Sequence, residues 1–151
     1  MPLKLGKDET LGLILIHAPR YADEAARFAA QIAQRHARTT FVDVAAVSPS
    51  SSAVADALAR TKDAAAVIVG TYQFGGPVSD SQKRLVRELI ARAAPVVAVS
   101  LMNPYDLPVS RGARAAVCTY GMTDSALDAA ARLLFGEIPA LGRLPVTVPG
   151  E

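Results

Sequence analysis

Tryptophan is absent from this 151-residue chain, cysteine occurs once, and Phe, Trp and Tyr together make up 5%. Each shortage excludes something. The single thiol, Cys118, rules out an internal disulfide, and in a Val/Cys/Tyr strand it reads as a core residue rather than a nucleophile. With so few rings, the core has to be built from Val, Leu, Ile and Ala. No apolar run approaches the roughly 20 residues of a membrane span, and Met1–Lys7 followed by the brief Leu11–Ile16 does not make a secretory signal. Charge of one sign is missing too. Lys plus Arg number 16 against 14 Asp plus Glu, a net +2, and the basic residues are scattered, which speaks against nucleic acid as a partner. The chain reads as soluble and cytoplasmic, with no membrane and no nucleic-acid partner.

What is present is a globular balance, 51% hydrophobic and 20% charged, at the length of one domain. Residues 1–9 read as the end of a linker and 10–149 as the folded core. Leu11–Ala18 is a continuous apolar run, as in a strand buried on both faces of a parallel sheet. Asp23–Ala37 follows at helical spacing, with Asp23 and Glu24 favourably placed in its first turn. Thr39–Val44 reads as a second strand, Ala53–Thr61 as a helix behind a Ser-rich cap, and Ala64–Tyr72 as a third strand. Ser79 or Asp80 caps a helix over Ser81–Ala93, before strands at Pro95–Leu101 and Ala115–Tyr120. Thr123 or Asp124 caps the last helix, whose stripe is Leu127, Ala130, Ala131, Leu134 and Phe135.

Five β/α alternations predict an α/β fold, a three-layer αβα sandwich around a mostly parallel sheet of five to six strands. The end of the chain, LLFGEIPALGRLPVTV, carries local signals of its own. Gly136 is placed to close the helix in a left-handed conformation, Gly142 to turn, and Pro145 to extend Leu144. Glu137, beside Arg143, reads as an ion pair or loop hydrogen bond.

In such a sheet, ligands sit beyond the carboxyl ends of the strands. Those ends deliver His17-Ala18-Pro19-Arg20, Tyr72-Gln73-Phe74, Asn103-Pro104-Tyr105-Asp106 and Tyr120-Gly121-Met122, a polar and aromatic rim. It suits a sugar, or its side chains bond their own loops; for Asn103 and Asp106, around Pro104, the second reading is turn stabilisation. The first strand-to-helix turn has Pro19 and no glycine, which excludes the dinucleotide fingerprint. A P-loop lysine is missing, the acidic cluster of a phosphoacceptor is missing, and HAPRYAD does not resemble a flavin phosphate loop. His17 and His36 lie in different elements, without metal-ligand spacing. His36 reads as a packed histidine near a helix end. No cofactor and no metal are expected.

PVVAVSLMNPYDL, followed by AAVCTYGMTDSALDAAARLLFGEIPALGRLPVTVP, resembles the C-terminal α/β domain of glycoside hydrolase family 3, and within it the bacterial β-N-acetylhexosaminidase (β-N-acetylglucosaminidase) branch. The likeness runs from about Ala64 to Pro149, and Pro2-Leu3 resembles the end of the segment leading into that domain. The resemblance implies an antiparallel C-terminal edge strand at Val146–Val148. It also implies that the chain is not an enzyme alone. Family members need a carboxylate nucleophile and a proton donor; the nucleophile lies on an N-terminal (β/α)8 barrel, as does the Asp-His acid/base of this branch. The β-glucosidase branch instead draws a glutamate from the loop after strand three, which here reads YQFGGPVSDSQ. The implied role is a noncatalytic accessory domain, partnered by a barrel in cis or in trans, or self-associating through the same surface. Arg20, Gln73, Asn103, Tyr105 and Asp106 are the rim residues proposed to approach a carbohydrate. A free-standing glycan or small-molecule binding module, and an enzyme of unfamiliar chemistry, are the alternatives.

Overall fold

The computed structural model describes residues 3–148. Five strands, β1 (Leu11–Ile16), β2 (Thr39–Val44), β3 (Ala66–Thr71), β4 (Val96–Ser100) and β5 (Ala115–Cys118), form one all-parallel sheet in the order β2-β1-β3-β4-β5. Helices α1 (Ala22–Arg35), α2 (Ser51–Arg60) and α3 (Asp80–Ile90) connect the first four strands, and α4 (Asp124–Leu134) follows β5. Two 3-10 turns, Pro19–Tyr21 and Pro104–Ser110, follow β1 and β4.

Strand alternation divides the side chains of the sheet between two cores. Leu11, Leu13 and Leu15 of β1 meet Phe28 and Ile32 of α1 and Leu127 and Leu134 of α4. Ile14 and Ile16, one residue out of phase, meet Val54 and Leu58 of α2 and Leu85, Val86 and Leu89 of α3. The result is the expected αβα sandwich. Burial of each Leu, Ile or Phe contributes about 1.5–3 kcal/mol, so the sheet and its two helix layers are held chiefly by these contacts.

Three of the four helix starts are set by side-chain caps. Ser50 accepts from the amide of Ala53 at 3.1 Å, Ser79 from Gln82 at 3.3 Å, and Thr123 from Ala126 at 3.4 Å. Helix α4 closes on Gly136, at φ 76°, with Gly136 N–H donating to Leu133 O at 3.1 Å and Glu137 N–H to Arg132 O at 2.8 Å. That is a Schellman closure, and it needs the left-handed glycine the sequence supplies.

Two features of the tail depart from expectation. Val146–Val148 forms no strand, and the sheet ends at β5 with no antiparallel partner among the described residues. The physical reason is local: Pro145 lacks an N–H, β5 is only 4 residues long, and among the described residues no backbone hydrogen bond ties 138–148 to it. Nor does Gly142 make a turn or take a positive φ. At the other end, Leu3 and Leu5 pack on the α1/α4 core, and Leu3 N–H donates to Leu134 O at 2.7 Å. Pro2 lies outside the described residues.

Candidate functional site

In the strand order found, the chain steps outward from β1 to β2 and then returns to β3. Helix α1 after β1 and helix α3 after β3 cover opposite faces, so the loops at the ends of these two strands diverge and leave a crevice. Arg20 and Tyr21 stand on one side of it, Tyr72, Gln73 and Phe74 on the other. Arg20 bridges the two, its Nη2 donating to Tyr72 Oη at 3.4 Å. Its guanidinium lies 5.0 Å from the centre of the Tyr21 ring and 5.8 Å from that of Phe74, while the Tyr21 and Tyr72 rings are tilted at 6.0 Å. Phe74 is 66% exposed.

The remaining rim candidates belong to the end of β4. Asn103 Nδ2 donates to Gln73 O at 2.6 Å, tying this loop to the one after β3, and Asn103 Oδ1 accepts from Tyr105 N at 3.0 Å. Gln73 folds its amide onto Gly76 O, with its own Oε1 buried and unpartnered. Tyr105 is exposed. Asp106 turns inward and is 1% exposed, so it is removed from any ligand. Its Oδ2 accepts from Thr71 Oγ1 of β3 at 2.6 Å and its Oδ1 meets Ser100 Oγ of β4, which also reaches Asn103 O.

Burial holds the Asp106 carboxyl above the usual carboxylate range, against the lowering by the Ser100 and Thr71 hydroxyls. A protonated carboxyl also satisfies the geometry. One Ser100 proton cannot serve Asp106 and Asn103 O together, whereas Asp106 donating to Ser100 Oγ frees that proton for the carbonyl. The chemistry of Asp106 is thus that of a strut between two strand ends.

Two supporting contacts have little sequence signal. Gln82, buried in the first turn of α3, accepts from Tyr72 N at 3.1 Å and donates to Tyr72 O at 2.9 Å and Val47 O at 2.7 Å. The Ser79-x-x-Gln82 spacing is that of a capping box, but the Gln side chain is spent on the rim loops instead. His17, fully buried, has Nε2 at 2.6 Å from Asp43 Oδ1 and Nδ1 at 2.9 Å from Ala18 O, which leaves neither nitrogen for a metal or a substrate. A lone Asp in the β-branched run of β2 was the available hint. His36 is packed as expected, its Nε2 at 2.8 Å from Glu9 O.

Acids at the helix starts meet neighbouring cations: Asp80 meets Lys83 and Asp124 meets Arg27, both at 2.9 Å. Glu137 pairs with Arg35 at 2.6 Å and Arg132 at 3.8 Å rather than with Arg143, and Arg35 pulls its carboxyl below the usual range. Cys118 is half-buried, not in either core, and burial pushes its thiol up. It lines a groove of about 750 Å³ between β5, α4 and the tail, which includes Tyr120, Leu133 and Leu141 but none of the five rim candidates. Among the described residues, no three His, Cys, Asp or Glu cluster to hold a metal, and no helix is long and apolar enough to cross a membrane.

Residues 5–151 match the family described as the glycosyl hydrolase family 3 C-terminal domain. The chain belongs to that family. A fungal multi-domain GH3 β-N-acetylglucosaminidase with a GCN5-related glucosamine N-acetyltransferase region superposes at TM-score 0.82 and 27% identity, over 99% of this domain and 17% of that chain. A family 3 β-N-acetylglucosaminidase from Paenibacillus sp. str. FPU-7 gives 0.79 at 22%, covering 94% and 28%. A β-glucosidase from Listeria innocua, in complex with isofagomine, gives 0.70 at 14%, covering 90% and 22%. This family 3 domain therefore spans less than a third of the length of these relatives. Comparison with curated proteins returns no significant match.

Proposed function

We propose that this domain is the noncatalytic accessory part of a family 3 glycoside hydrolase of the β-N-acetylhexosaminidase type. It packs beside a catalytic (β/α)8 barrel and turns its strand-end rim towards the glycan. The supporting observation is the loop after β3: it is uncharged from Tyr72 to Ser79, and the acid nearest to it in the rim, Asp106, is locked inward by Thr71 and Ser100. A retaining glycosidase needs two carboxyl groups on either side of the scissile bond, with one free to protonate the leaving oxygen. Asp106 is not free, and Asp80 is paired with Lys83 at the start of a helix. Arg20 and Tyr105 are then the side chains that reach the glycan, with Gln73, Asn103, Asp106 and Gln82 positioning their loops.

The test is an assay of the purified chain on a chromogenic N-acetylglucosaminide, with Asp80→Ala and Asp106→Asn as controls. No turnover above buffer is expected. Turnover that either substitution abolishes would refute the noncatalytic reading. Calorimetric titration with N-acetylglucosamine oligosaccharides addresses the rim, where heat lost in Tyr105→Ala, whose side chain is exposed, supports glycan contact.

A further inference from the structure

Arg20 is the one cation of the rim, and no acid answers it. The loops at the carboxyl ends of the five strands, residues 17–21, 45–50, 72–79, 101–110 and 119–123, contain no Lys or Arg besides Arg20 and no Asp or Glu besides the buried Asp106. Several arginines outside the rim are paired. Arg27, Arg35, Arg60, Arg84 and Arg132 each meet a carboxylate, and Arg92 donates to the carbonyls of Leu58 and Thr61. Among the described residues Arg20 has no such partner: it has a 3.4 Å hydrogen bond to a phenol and two flanking rings.

Rings orient a guanidinium without cancelling its charge, and they leave its planar fork of donors available to a planar oxyanion. Phe74 supplies the second half of a site. Its ring is exposed beside the cation, at the crevice where the strand order reverses, and an exposed aromatic face is a stacking surface for the apolar face of a pyranose. We infer that Arg20 and Phe74 together bind an acidic saccharide, the sugar ring lying on Phe74 and its carboxylate taking the Arg20 fork. This rests on the proposed reading that the rim faces a glycan, and adds to it the charge of the ligand.

The experiment is a titration of the isotope-labelled chain, followed through the backbone amides of Tyr21, Tyr72, Gln73 and Phe74, with sodium glucuronate, glucose and inorganic phosphate in parallel. Glucuronate is expected to move these amides and to bind at least about tenfold tighter than glucose, the size of one hydrogen bond to a charged group. Arg20→Gln, at an exposed site where the fold is undisturbed, should bring glucuronate down to the level of glucose. Phe74→Ala should weaken both sugars alike. Equal binding of glucuronate and glucose overturns the acidic ligand while leaving a neutral-glycan rim in place. Phosphate as tight as glucuronate overturns the saccharide. Silence from all three, with the spectrum of a folded chain, overturns the site and removes glycan contact from the proposed function as well.

Discussion

Replacing Asp106 by alanine leaves the Thr71 hydroxyl, 3% exposed, without its acceptor, and strips one partner from Ser100, 1% exposed. An orphaned buried hydroxyl costs about 1–3 kcal/mol, and a lost hydrogen bond that is otherwise replaced costs about 1. Asp106→Ala should therefore lower unfolding stability by about 2–4 kcal/mol, since Ser100 keeps Asn103 O. Asp106→Asn keeps the shape, with Oδ1 accepting from Thr71 and Nδ2 donating to Ser100, and should cost less than about 1 kcal/mol near pH 5.

The pH dependence separates the two substitutions further. Burial raises the folded carboxyl above its unfolded value, so the native state holds the proton more firmly. The stability this group contributes is complete below the unfolded value of about 4, and is lost as pH rises through the higher folded one. Asparagine does not titrate, so Asp106→Asn should gain on the parent chain as pH is raised from 5 to 8. Urea unfolding at several pH values, with a constant m-value, reads this directly. Asparagine as damaging as alanine, or an asparagine-to-parent difference flat with pH, would refute the strut of shared protons.

Gly70→Ala should destabilise the domain by about 1–3 kcal/mol, because a Cβ there meets Leu15 Cδ2 at 2.9 Å and Leu101 Cδ1 at 3.1 Å in the filled centre of the sheet; thermal unfolding checks it. Gln82→Ala removes three hydrogen bonds to Tyr72 and Val47, so about 2–4 kcal/mol should be lost, with faster hydrogen exchange at Tyr72 and in the loop that follows. Gln82→Leu, which fills the volume but makes no bond, should not restore the exchange rates.

The layers were legible because their cause is local. The central strands β1, β3 and β4 are runs of apolar residues buried on both faces, β2 is rich in β-branched residues, and each helix has an apolar stripe, so Thr39–Val44 is found at the predicted bounds and α3 starts behind its Ser79 cap. The other strands are shorter than their apolar runs because Ala18, Tyr72 and Leu101 already belong to loops that bend over the rim. What could not be read was contact across sequence distance. Thr71 and Asp106 meet from adjacent strand ends, His17 and Asp43 from neighbouring strands, and no periodicity encodes either pair. Asp106 resembled a turn residue because Asn103-Pro104 is a turn. Asn103 does hold that turn, through Tyr105 N. The tail failed for a different reason: Val146 and Val148 have strand propensity, but a strand needs a ladder, and Pro145 together with the 4-residue β5 provides too little of one.

The hydrogen bond from Leu3 to Leu134 has a mechanical consequence. It places the incoming chain on one of the carbonyls left open at the end of α4, with Leu3 and Leu5 laid over the same core. Tension applied at Leu3 is met first by that helix end, and Leu3 and Leu5 must peel away before load reaches β1 at the centre of the sheet. The entry segment is thus the first part to give under load, while the strand ends carrying Arg20 and Asn103 keep their spacing.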